Sequence, residues 1–105
     1  MNTYTLTLSE REAELINLSL TGQSEWMPDF APLAIPSGSV ALSSNHMACA
    51  LTALNDQAGD EWLKDMNNPS DLWQEMIDMI DALVPRAGMN MWMASDIVNG
   101  RSLNT

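Results

Sequence analysis

The sequence predicts an α+β domain dominated by helix, with about three main helices packed on a two-stranded sheet made from terminal segments. An all-α bundle is the alternative. Three observations carry the prediction. A strict alternation of apolar and polar residues opens the chain at "TYTLTL" (3–8). A second alternation, "GMNMWMA" (88–94), stands near its end. Between them, apolar residues recur at the three- and four-residue spacing of helices that bury one face.

In "TYTLTL", Tyr4, Leu6 and Leu8 fall on one side and Thr3, Thr5 and Thr7 on the other, the pattern of a half-buried strand. "SERE" follows. Ser9 and Glu12 have capping-box spacing, and Glu10 suits the positive end of a helix dipole. A helix should then run to about Leu20, with Gly22 as its stop. Residues 23–38 hold Pro28, Pro32, Pro36 and Gly38, which forbid a regular element. Trp26, Met27, Phe30, Leu33 and Ile35 make this loop apolar, so it should pack down or meet a partner.

A second helix is expected from Ser43 or Ser44 to Ala58, with Met47, Ala50, Leu51 and Leu54 as its stripe and Gly59 ending it. "DEWLKDM" (60–66) reads as a separate short helix. "NPSD" supplies a start signal, with Asn68 as N-cap, Pro69 at the first helical position and Asp71 at the third. The third long helix should stop at Val84, before Pro85. "GMNMWMA" supplies the second strand, pairing with the first. Residues 1–105 form one domain, and residues 95–105 are a candidate flexible tail.

A chain of 105 residues can bury roughly two thirds of its unfolded surface, enough for a real core. Its net charge is −10 because bases are scarce. Fourteen acids face only Arg11, Lys64, Arg86 and Arg101. Such a field repels DNA, RNA and anionic lipid and favours a basic partner. One cysteine, Cys49, excludes an intrachain disulfide. The N-terminus lacks the basic and apolar regions of a signal peptide, and "MACALTAL" (47–54) is far short of the ~20 residues of a membrane span. A cytoplasmic protein without a membrane anchor is expected.

The segment 60–81 concentrates the charge. Asp60, Glu61, Asp65, Asp71, Glu75, Asp78 and Asp81 stand against one base, Lys64. On the third helix, Leu72, Trp73, Met76, Ile77, Ile80, Leu83 and Val84 share one face, with Asp71, Glu75, Asp78 and Asp81 opposite. Like charges at three- and four-residue spacing cost a few tenths of a kcal/mol each. Asp78 and Asp81 also oppose the helix dipole. A face meant only to stay wet would do better with some lysine. The acids are therefore candidate partner-binding residues, with Trp62 and Trp26 as apolar anchors. Four carboxylates over ten rises give one charge per ~4–5 Å. Duplex DNA carries one per ~1.7 Å, so this helix alone is too sparse to imitate a duplex.

Other constellations are weaker. His46 and Cys49 share a helical face, but zinc would need two further His or Cys ligands and the chain has none. Met89, Met91 and Met93 alternate as a thioether face for Cu(I) could, and equally as core residues would. Phosphate-loop and EF-hand patterns are absent. No catalytic residue, metal or cofactor is expected.

The function expected is a non-enzymatic acidic inhibitor docking a basic surface of a nuclease or another nucleic-acid-binding protein. In size and charge, but in no motif, such a protein is analogous to immunity, anti-restriction and anti-CRISPR proteins. The alternative is a homo-oligomeric structural or regulatory subunit, such as a homodimer, with an apolar Pro- and Met-rich interface.

Overall fold

A computed structural model describes residues 3–66 and 71–100, apart from the side chain of Asp65. The element order is β1 (Thr3–Leu8), α1 (Glu10–Gly22), β2 (Gly38–Ser43), α2 (Ser44–Asp65), α3 (Leu72–Ala87) and α4 (Met91–Val98). The fold is α+β, with four helices packed on a two-stranded antiparallel sheet.

The first strand lies where its alternation predicts. Its partner is not the C-terminal segment but β2, with Leu6 opposite Val40 and Tyr4 opposite Leu42. "SVALS" also alternates, and Val40 and Leu42 turn inward beside Leu6 and Leu8. Gly38 opens the strand at φ 92, a backbone conformation that side chains with a Cβ disfavour.

The expected second strand is instead helix α4. Asn90 caps it, its side-chain oxygen accepting from Met93 N at 2.9 Å. Ala94 and Val98, four apart, are buried on its inner face. The alternating methionines fit a helix whose first turn rests on the core: Met89 is buried, and Met91 and Met93 are half-buried. Ser95–Val98 is therefore helical rather than tail, and residues 101–105 lie outside the described residues.

The capping box at the start of α1 is present in full. Glu12 N donates to Ser9 Oγ and Ser9 N to Glu12 Oε1. Gly22 closes α1 for a different reason from the one expected. It has no positive φ, but a Cβ there would lie 2.3 Å from the Gln57 side-chain oxygen. The Gln57 side chain on α2, rather than a left-handed cap, occupies the space a Cβ would take, and any larger residue would have to displace it.

Helix α2 is the axis of the molecule, packing against α1, α3 and α4. Met47 through Leu51 are all buried, as are Ala53, Leu54 and Ala58. Alanines let the neighbouring helices come close on several sides. The helix does not stop at Gly59 but continues to Asp65, merging with the expected short helix. A helical glycine costs about 1 kcal/mol relative to alanine. Hydrogen bonds from Gln57 and Lys64 to Glu61 support the turns across and beyond it.

The start signal at Asn68 and Pro69 lies outside the described residues. Asp71 is the residue before the first helical turn of α3, without a side-chain capping bond. This helix runs through Pro85 to Ala87 and ends on Gly88 at φ 71. Pro85 is on the exposed side, while Leu83 and Ala87 hold the last turn to the core. Arg86 fastens that turn from outside. It donates to Glu12 Oε2 at 2.8 Å and to the Thr7 carbonyl, joining α3, α1 and β1.

The Arg86 guanidinium holds the Glu12 carboxyl below its ordinary value of 4.5. The pair therefore stabilises the fold above that pH, and its contribution is lost as pH falls through the lowered value. Arg86→Met should cost about 1 kcal/mol at pH 7, after allowing for solvent screening. Urea titrations of both proteins across the acid range should show the gap narrowing below pH 4.5. A gap independent of pH would assign Arg86 a packing role alone.

Candidate functional site

The outer face of α3 carries the acids in the predicted arrangement, but the predicted lack of a counter-charge is corrected at one position. Arg11, on α1, reaches across and grips Glu75 with both ends of its guanidinium. Its Nε donates to Oε2 at 2.7 Å and its Nη2 to Oε1 at 2.6 Å. The same guanidinium bonds Glu14. These bonds hold the Glu75 carboxyl below its usual range and raise Arg11. Arg11, Asp71, Gln74, Glu75 and Asp78 line one shallow depression. Asp71, Asp78 and Asp81 remain exposed, and among the described residues the side-chain bond to Asp78 comes from the neutral amide of Gln74 at 2.9 Å.

The acids at the end of α2 are engaged differently. Asp60 accepts from Gln23 Nε2 at 2.8 Å. Glu61 accepts from Gln57 and from Lys64, at 2.9 and 3.1 Å. Its side chain is only 12% exposed, so Glu61 has little left to offer a partner. Asp65 belongs to α2, its side chain outside the described residues. Trp62 is half exposed and neighbours exposed Leu63 and Met66 in sequence, so this helix end carries apolar groups as well as charge.

Trp26 is 41% exposed in the proline-rich loop, and its Nε1 donates to Gln23 Oε1 at 2.5 Å. It forms part of the wall of a groove of about 490 Å³ between α2, α4 and the loop. Asp56, Asn55 and Thr52 of α2 and Trp92 and Asn99 at α4 complete the parts that carry chemistry. Sequence reading missed Asp56 and Trp92 as members of one site. Asp56 precedes Asp60 by one helical turn, a relation hidden if the helix ends at Ala58. Trp92, 83% exposed, reads as the back of a strand until the segment is seen to be helical.

The remaining candidates do not assemble. Cys49 is fully buried and its thiol is pushed up to about 11 by burial, which makes thiolate chemistry unfavourable. His46 sits in the first turn of α2, its backbone N–H donating to Ser43 Oγ. Among the described residues, no three His, Cys, Asp or Glu side chains gather as metal ligands. Met89 is core, which removes it from the proposed thioether face. No helix among the described residues is long and apolar enough to cross a membrane.

In comparisons with known proteins, the chain matches no family model, no curated protein and no solved structure.

Proposed function

We propose that this is a non-enzymatic, cytoplasmic acidic binding protein that docks on, and occludes, a basic surface of a nuclease or another nucleic-acid-binding protein. One observation carries the reading. Asp71, Asp78 and Asp81 stand exposed along α3, while every described base is already in an ion pair with another acid: Arg11 with Glu14 and Glu75, Lys64 with Glu61, Arg86 with Glu12. Beyond Arg11 at Glu75, neutralisation of this face has to come from outside the described fold. Uncompensated charge of one sign raises the rate of encounter with an oppositely charged partner and repels nucleic acid itself.

The Arg11 pair makes α3 sparser in free charge than its sequence suggests. Three carboxylates over ten rises, about 15 Å, fall well short of a duplex backbone. Electrostatic docking is therefore favoured over duplex mimicry.

The pairing also selects the test. Reversing Glu75 would take from Arg11 the partner it grips with two bonds, whereas Asp78 and Asp81 face solvent. The variant carrying Asp78→Lys and Asp81→Lys should keep its unfolding free energy within about 0.5 kcal/mol of wild type. Immobilised wild-type protein should retain a nucleic-acid-binding protein from host lysate at low salt and release it to high salt or competing duplex DNA. The double variant should retain at least tenfold less, on the order of the cost of two charge reversals. Equal retention by both proteins would remove α3 as the docking face.

A further inference from the structure

We propose that the groove between α2 and α4 is a recognition site for an arginine side chain of the basic partner, its guanidinium held between the Trp26 and Trp92 indoles and bonded to Asp56. The proposal rests on the preceding reading for the source of the arginine and adds the place where that arginine inserts.

The groove joins two features that are uncommon together on a small domain. Its walls include two tryptophans, and Trp92 leaves most of its surface in water. Indole faces attract cations, and planar guanidinium most readily because it stacks as well as pairs. Its polar lining is also rich in acceptors. Asp56 supplies a carboxylate and Asn55 an amide oxygen. Asn99 donates its amide nitrogen to Ser95, which leaves its side-chain oxygen without a partner among the described residues. The Thr52 hydroxyl oxygen is buried, with no hydrogen-bond partner among the described residues. A buried polar atom left this way costs free energy unless a ligand or water completes it. Guanidinium brings five donors in a flat fork and no acceptor, the complement of this set.

The groove is short of positive charge. None of Arg11, Lys64 and Arg86 lines it, and each is paired elsewhere. Partial desolvation and neighbouring Asp60 raise Asp56 above its ordinary value, against a hydrogen bond from Asn55 that lowers it. An incoming cation opposes that rise. Asp60 is meanwhile held by Gln23, the same side chain that anchors Trp26. The aromatic wall at Trp26 and the carboxylate one turn after Asp56 are thus tied by one network before a ligand arrives.

The test uses the full chain and short Gly/Ser peptides carrying one arginine, one lysine or one citrulline, the neutral isostere of arginine. Indole N–H resonances are followed by NMR, with Trp26 and Trp92 assigned by substitution. The arginine peptide should shift both resonances saturably, with Kd on the order of 1 mM. The lysine peptide should bind several-fold more weakly, and the citrulline peptide should fail to saturate. Asp56→Asn should weaken the arginine peptide at least tenfold without lowering the unfolding temperature, since the folded state disfavours that charge. Trp92→Leu, at an exposed position, should do the same and serves as the second variant. Asp78→Lys with Asp81→Lys should leave peptide binding unchanged, so failure of the α3 reading and failure of this one are distinguishable. Equal binding of citrulline, unchanged binding by Asp56→Asn, or no saturable shift by about 20 mM peptide would overturn the proposal. Much tighter peptide binding by Arg101→Gln would assign the groove to Arg101 and overturn the partner's claim to it.

Discussion

Leu51→Ala is expected to lower the free energy of unfolding by about 3–5 kcal/mol. Leu51 is fully enclosed midway along α2, the helix on which α1, α3 and α4 all rest. Because it is fully buried, truncating it leaves a cavity rather than a newly exposed surface. The cavity term should therefore add nearly in full to the lost transfer energy. For a domain whose whole stability is about 5–15 kcal/mol, the variant would be close to unfolding at 37 °C. Urea denaturation followed by tryptophan fluorescence should show a lower midpoint with an unchanged slope. Leu63→Ala is the internal control. It lies on the same helix but is 56% exposed, and should cost no more than about 0.5 kcal/mol. Equal effects at the two positions would contradict the placement of α2 as the central helix.

The contrast between those leucines marks what the sequence makes legible. Local signals were strong where one residue type had one physical meaning. The Thr3–Leu8 alternation, the Ser9–Glu12 capping box and the broad apolar face of α3 were all readable, and so was the α+β class. Glycine and proline were read as punctuation, but at Gly59 and Pro85 packing and side-chain bonds on the following turn outweigh a local cost. Alternation misled at residues 88–94 because three methionines satisfy a strand and the first turn of a helix equally. The spacing of Ala94 and Val98, with Asn90 as cap, separates the two readings. The short alternation of β2 was obscured by the proline-rich loop before it.

The candidate site was legible in charge but not in arrangement. The excess of acids over bases is a property of composition. The neutralisation of Glu75 depends on Arg11, 64 positions earlier, and no periodicity reports a pair at that separation. The groove is further from view, since Trp26, Asp56 and Trp92 meet only when a loop and two helices pack.

Gln23 is where stability and the groove are coupled, and its replacement should have the second-largest effect. The side chain is 7% exposed. Its Nε2 donates to Gln57 Oε1 and to Asp60 Oδ2, both at 2.8 Å, while its Oε1 accepts from Trp26. Gln23→Ala leaves the Gln57 oxygen and the Trp26 N–H without these partners, at about 1–3 kcal/mol for a buried unpaired group. A cost of about 2 kcal/mol is expected, with a several-fold loss of arginine-peptide affinity as Trp26 loses its tether. Gln23→Glu separates shape from charge. It keeps the size and can still accept from Trp26, but it loses both amide donations and sets a carboxylate beside Asp60. At pH 7 it should be at least as unstable as Gln23→Ala. The new carboxyl would sit above its usual range in the folded state, so the variant should regain stability relative to Gln23→Ala as pH falls and that group protonates first in the fold. Urea titrations of the two variants between about pH 4 and pH 7 read this crossing directly. If Gln23→Glu instead matched wild type at neutral pH, the amide donations would be dispensable, and the network could not be what fixes Asp60 and supports Trp26 at the groove.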